Sequence, residues 1–466
     1  MTSSTLTTDH VAHDTFSRRA RAATLLATSL GFGVVQLDVT VVNVAVRQVG
    51  VAFHGGVSEL QWVVSAYTLM FAALILSGGT LGDRFGARRV FAGGFAVFVL
   101  ASMACGLAPS IGVLIAARAV QGAGAAILGS CSLALLSHTF RDERERSRAL
   151  GLWAAGASTA LSGGPVIGGV LIATLGWRSI FFINLPIGLL GLWLTWRYAR
   201  ETPRAEGRGL DFGGQAAAVI GLAAFAGATI EAGPHGLTNP WVLAGYGVFV
   251  LAAVTFVVVE ERVACPMLPL SLFRRGAFAS PTLIGLLVNV CFYGLIFVFS
   301  LFFQVQHGYS ALRAGLAFVP MTAAILAANL SAARVVDVLG APRTILVGLA
   351  GMAVGCAGLL WTGQDTPFVE IVAQQVLLGG GLGLLVPPMI AALLQSVDRS
   401  RSGVASGTLN AMRQTGSLLG IALFGSLIVG HGRFFAGMHV ALAISLAVLL
   451  AAALLSGRLT SAQGSR

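Results

Sequence analysis

Residues 21–46 read RAATLLATSLGFGVVQLDVTVVNVAV. Beyond Arg21, the only charged side chain in this stretch is Asp38. About 20 apolar residues suffice for a helix to cross the hydrocarbon of a bilayer. Residues 22–46 therefore form a membrane span with a carboxylate near its middle. On insertion scales such a group costs roughly 2.5–3.5 kcal/mol. Intramembrane carboxylates mark a proton or ion pathway or a structural ion pair, and which of these holds is most of the functional question.

The rest of the chain has the same character. Of its 466 residues, 56% are hydrophobic and 10% are charged, with a mean hydropathy of +0.85; soluble domains carry roughly 25% charged residues. Fourteen hydrophobic spans can be read at 22–46, 59–81, 90–108, 112–137, 149–173, 179–197, 211–230, 241–259, 279–303, 313–334, 344–363, 368–395, 403–427 and 437–457. The expected class is an all-α, polytopic membrane protein. Residues 1–17 are polar and hold no signal-peptide apolar core, so the first span is expected to persist as a helix. Glu59, Glu231 and Glu370 fall at span ends, which leaves Asp38 as the acid well inside the bilayer.

All 29 basic residues are arginine. With the N-terminus in the cytoplasm, 23 of them fall in cytoplasmic segments and four (Arg47, Arg178, Arg313 and Arg433) outside, while Arg118 and Arg413 lie within spans. That bias predicts an N-in/C-in topology, since an error of one span would scramble the alternation. It also disposes of nucleic acid as a partner: the net charge of +11 sits between spans, not on a soluble face. The five cysteines, at 105, 131, 265, 291 and 356, show no metal-ligand spacing, and no metal or cofactor is expected.

The chain also repeats itself. GTLGDRFGARR (79–89) follows the second span and ARVVDVLGAPR (333–343) follows the tenth, matching Asp83 with Asp337, Gly86 with Gly340 and Arg89 with Arg343 at an offset of 254. Two related halves are a transporter signature, with the substrate site expected between them near the midplane. If each half has six helices, the seventh and eighth spans are additional and link the halves.

Four ordered motifs, supported by two further stretches, carry a family resemblance. These are LDVTVVNVA (37–45), GTLGDRFGARR (79–89), RAVQGAG (118–124) and GGPVIGG (163–169), with WRSIFFINLP (177–186) and GVASGTLNAMRQTGSLLG (403–420) in support. Together they resemble the major facilitator superfamily, specifically its fourteen-helix drug:proton antiporters, over residues 22–457. Ala87, Ala333 and Val338 depart from the usual loop pattern. The resemblance implies a cytoplasmic N-tail at 1–21, a six-helix half at 22–197, a linker with two extra helices at 198–278, a second half at 279–457 and a C-tail at 458–466. It implies proton-coupled efflux of lipophilic drugs or antibiotics by a monomer in the cytoplasmic membrane. Small lipophilic substrate, protons and lipid are then the partners, and the proton gradient is the energy source. The alternatives are an uptake symporter on the same fold and, remotely, a membrane-embedded enzyme. GGPVIGG is associated with antiporters, and no HExxH, GxSxG or paired carboxylates accompany the spans.

Roles follow residue by residue. A guanidinium does not release its proton, so Arg118 either tunes a nearby carboxylate, Asp38 being the one available, or bonds backbone carbonyls as a structural residue. Asp83, Arg84, Gly86, Arg88 and Arg89 are expected to gate the cytoplasmic side, as the resemblance implies. Gly164, Gly168 and Gly169 permit close helix contact, and Pro165 is expected to kink its helix. Gln36, Thr40, Asn43, Trp62, Tyr67, Gln121, Asn410, Arg413 and Gln414 are candidates to line the substrate cavity. On a helical wheel Asp38 lies about 200° from Gln36. Either the first span breaks near its glycines, or its polar stripe faces the cavity while Asp38 faces Arg118.

Overall fold

The computed structural model describes residues 17–140, 142–204, 209, 211–263, 266–398, 402–429 and 433–463. Its first helix, α1 (Arg18–Phe53), is continuous, so the break near the glycines does not occur. Ser17 caps it by accepting the amide of Ala20 at 3.2 Å, and His54 ends it at a φ of +53°. At 1.5 Å per residue, 36 residues span about 54 Å. The helix therefore extends past the hydrocarbon at both ends, where apolar character gives no boundary signal.

The other first-half helices are α2 (Val57–Phe85), α3 (Ala87–Gly106), α4 (Ile111–Thr139), α5 (Glu143–Leu175), α6 (Ser179–Phe182) and α7 (Asn184–Tyr198). A hairpin of α8 (Phe212–His235) and α9 (Pro240–Arg262) follows. The second half holds α10 (Gly276–Leu301), α11 (Ala311–Ala317), α12 (Val319–Leu339), α13 (Ala341–Leu359), α14 (Phe368–Gln395), α15 (Ser402–Leu427) and α16 (Phe434–Gln463). Residues 1–16, 464–466, Arg141, Arg208, Cys265, Arg399 and Arg401 lie outside the described residues.

Two expected spans are jointed. The sixth consists of α6 and α7, and the tenth of α11 and α12. Pro186 and Pro320 stand in the first turns of α7 and α12, where a missing amide has no intrahelical partner to lose, so the chain can restart there. By contrast α5 runs unbroken through Pro165. Among the described residues thirteen spans are long and apolar enough to cross on composition alone. The fourteenth, α15, is 26 residues long and packs between α10 and α2; Asn410, Arg413 and Gln414 lower its apolar character.

The packing repeats as the loops do. In the first half α1 packs on α5, α2 and α3 on α4, and α7 on α1 and α3. In the second, α10 packs on α15, α12 and α13 on α14, and α16 on α10 and α13. The repeated loop glycines also match: Gly86 and Gly340 join consecutive helices at φ of +99° and +78°, a region glycine enters without strain. α8 lies against both α2 and α15, and so touches both halves.

Hydrogen bonds tie the halves together towards the end that carries the α1–α2 turn, which the arginine bias assigns to the outside. There the Ser300 hydroxyl donates to the Asn43 carbonyl, and Gln61 Nε2 donates to the carbonyls of Ile421 and Ala422, each at 3.0 Å. Residues 37–46 of α1 are buried on every side, whereas Ser29, Phe32 and Gln36 towards the opposite end are partly exposed.

Candidate functional site

α1 turns Asp38 away from Gln36 and into the interior of the first half, where it is 1% exposed. Arg118 of α4 is 0% exposed. Its Nη1 donates to Asp38 Oδ2 and to Gln121 Oε1 at 2.8 Å, and its Nε donates to the Val63 carbonyl at 3.1 Å. Both roles weighed for Arg118 are therefore present, carboxylate partner and backbone brace. The Tyr67 ring lies 4.2 Å from the guanidinium carbon and the Phe181 ring 5.9 Å, so the cation rests on aromatic faces instead of water. Asp38 Oδ1 accepts from Gln121 Nε2 at 2.9 Å and from Asn184 Nδ2 at 3.0 Å. Both amides also donate to Ser102 Oγ, at 3.3 and 3.0 Å, and Ser102 donates to the Phe181 carbonyl at 2.8 Å.

This is an ion pair with its oxygens satisfied by fixed donors, assembled from α1, α2, α3, α4 and the α6–α7 joint. Removing one partner of such a pair leaves an uncompensated buried charge, a loss of roughly 3–5 kcal/mol. Neutralising the acid by protonation is the chemically available alternative.

The structure redistributes some cavity candidates. Gln121 and Tyr67 are fully buried in the Asp38 cluster, not in the cavity; the Tyr67 hydroxyl donates to the Val35 carbonyl at 3.3 Å. Trp62 packs against the linker helix α8 with Leu69, Ala226 and Leu418. Asn184 and Ser102 are not among the residues that the sequence marks as candidates. Asn184 stands in the quoted WRSIFFINLP stretch, but its direction depends on the α6–α7 joint. Ser102 carries no sequence signal.

Thr40 and Asn43, on the other face of α1, line a pocket between the halves. Leu161 and Pro165 of α5, Phe292 and Ile296 of α10, and Phe318, Met321 and Thr322 at the α11–α12 joint complete much of its wall. About 10 Å³ is free there, room for about one water. Its polar groups are neutral, and no carboxylate lines it. Gly164 and Gly168 seat α5 on α1: a Cβ on Gly168 would lie 3.3 Å from the Val41 carbonyl oxygen. Gly169 faces the second half, where a Cβ would lie 2.9 Å from the Ala311 carbonyl oxygen. Gln36, Asn410, Arg413 and Gln414 are partly exposed. The Arg413 Nε is buried without a partner, and among the described residues no carboxylate pairs with that side chain.

In the last turn of α2, Asp83 is half-buried and Arg84 is exposed beside the Phe85 ring at 5.4 Å. The start of α3 is clasped from within its own half. The amides of Arg88 and Arg89 donate to Glu201 at 2.9 and 3.3 Å, and the Ala87 amide donates to Thr202 Oγ1 at 2.9 Å. Arg88 Nη2 donates to the Trp196 carbonyl at 2.6 Å. A carboxylate at a helix N-terminus is favourably placed against the helix dipole.

Residues 28–421 and 283–465 match the family described as Major Facilitator Superfamily. The chain is 39% identical to a methylenomycin A resistance protein of Streptomyces coelicolor, over 91% of this chain and 90% of that one. It is 36% identical to the multidrug resistance protein Stp of Mycobacterium tuberculosis, over 88% and 76%. The solved human organic anion transporter MFSD10 superposes with a TM-score of 0.64 at 17% identity, covering 94% of this chain and 99% of that one, which is a likeness of fold.

Proposed function

Since this chain belongs to the major facilitator superfamily, we propose that it exports lipophilic drugs or antibiotics across the cell membrane in exchange for protons. Its halves, 22–197 and 279–457, rock about the pocket between them, with 198–278 as linker. It is multi-pass, works as a monomer with both termini in the cytoplasm, and needs no cofactor beyond the proton gradient. Relatives named for antibiotic and multidrug resistance support drug efflux over uptake.

The observation that carries the mechanism is the separation of Asp38 from the pocket. The carboxylate is satisfied inside the first half by Arg118, Gln121 and Asn184, while an apolar pocket with neutral polar groups lies on the opposite face of α1. Protonating Asp38 removes its attraction for Arg118 and loosens α1 from α4. Because α1 also forms the pocket wall, protonation shifts the balance of access states without the proton touching the substrate. Asp83 and the arginines after it act as the cytoplasmic gate.

Susceptibility of an efflux-deficient host tests the reading. Expression is expected to raise tolerance to a set of lipophilic antibiotics, with proton-driven accumulation of the same compounds in inverted vesicles. Accumulation in right-side-out vesicles instead would make the protein an importer.

A further inference from the structure

The side-chain groups aimed at Asp38 are donors: Arg118 Nη1, Gln121 Nε2 and Asn184 Nδ2. That arrangement suits a carboxylate and not a carboxylic acid. A protonated Asp38 has one hydrogen that must find an acceptor, because a buried donor without one is costly. Most oxygens nearby are engaged. Gln121 Oε1 accepts from Arg118 Nη1 and from Cys105 Sγ at 3.6 Å. Ser102 Oγ accepts from two amides and donates to the Phe181 carbonyl. The Val35 and Val63 carbonyls take Tyr67 and Arg118. Asn184 Oδ1 is different: it is buried and has no partner.

We propose that Asn184 is a positioning residue that serves both protonation states of Asp38. To the ionised form its amide presents Nδ2. When a proton adds to the carboxylate, the amide turns about its Cβ–Cγ bond and Oδ1 accepts the new O–H. The same turn withdraws the Asn184 donor from Ser102, which is bonded to the Phe181 carbonyl of α6. Since Asn184 is the first residue of α7, just past the α6–α7 joint, the protonation state is felt at that joint. The titratable groups facing Asp38 are Arg118 from α4, Tyr67 from α2 and Cys105 from α3; α6 and α7 contribute the amide. This inference rests on Asp38 being the proton-coupling residue.

Proton-driven substrate exchange in proteoliposomes, measured across pH, tests it with Asn184→Asp, Asn184→Leu and Asp38→Asn beside the unaltered protein. Asn184→Asp keeps the size and supplies a standing acceptor, so half-maximal exchange is expected at about tenfold lower proton concentration, about one pH unit more alkaline. Asn184→Leu offers neither donor nor acceptor; driven exchange is expected to fall about tenfold, while downhill equilibration of substrate persists. Wild-type pH profiles in both variants, with coupling lost in Asp38→Asn, would reduce Asn184 to a packing residue and leave the coupling reading intact. Coupled exchange by Asp38→Asn would overturn both.

Discussion

At the scale of the residue, Asp38 and Arg118 are buried together as an ion pair, in a place where either charge alone would be costly. Arg118 serves Asp38, Gln121 and the Val63 carbonyl at once, a use of its planar fork that a lysine cannot reproduce. Arg118→Met is expected to leave Asp38 without its counter-ion and to destabilise the protein by roughly 3–5 kcal/mol, read as a lower melting temperature in detergent. Asp38→Asn combined with Arg118→Met should recover most of that stability but not coupled transport. If the double variant melts no higher than Arg118→Met, the pair is not what stabilises this part of the fold. Asp38 and Arg118 were legible in sequence because a charge inside an apolar span stands out, and a helical wheel separates Asp38 from Gln36. Asn184 and Gln121 were not legible as partners of the acid. Their amides are common polar groups, and their directions are set by packing between helices far apart in the chain.

At the scale of the element, α5 is one of the helices through which the halves touch, beside α1 and α2. Gly168 seats it on α1, and Gly169 meets the Ala311 carbonyl across the interface. Gly169→Val is expected to prevent close approach at the outer end and so disfavour the state in which Thr40 and Asn43 are sealed. A cysteine introduced at Asn43 should then react faster with a membrane-impermeant maleimide added from outside, and export should fall several-fold. Gly163→Ala is the control, since a Cβ there would meet only Ile167 of its own helix at 3.5 Å. Equal labelling of Gly169→Val and the control would contradict the assignment. Among the described residues thirteen spans stand out by hydropathy, whereas α15, with its polar face, does not stand out on composition alone. The joints at Ile183 and Phe318 were not, because apolar character runs straight through them and each proline falls where a helix tolerates it.

At the scale of the whole molecule, the repeated loops correspond to a repeated packing scheme, with Gly86 and Gly340 performing the same turn. The repeat was legible from three matched residues; how the linker sits was not. The α8–α9 hairpin does not hang free of the halves: α8 bridges α2 and α15, with Gln215 Nε2 donating to the Ala73 carbonyl at 2.9 Å. Topology is expected to follow the arginines. A cysteine at His54 should react with an impermeant reagent on intact cells, and one at Arg200 only after permeabilisation; the reverse would invert the orientation.

On the proposed mechanism Asp38 couples transport to protons and does not recognise the substrate. This is tested most directly by recording proton and substrate fluxes together in proteoliposomes, with substrate binding measured on the same preparations, for the unaltered protein and for Asp38→Asn. The unaltered protein is expected to discharge an imposed pH gradient when substrate is added. Asp38→Asn should bind substrate with unchanged affinity and leave the gradient standing. Loss of substrate affinity in Asp38→Asn, or substrate-dependent proton flux that survives the substitution, would contradict the account.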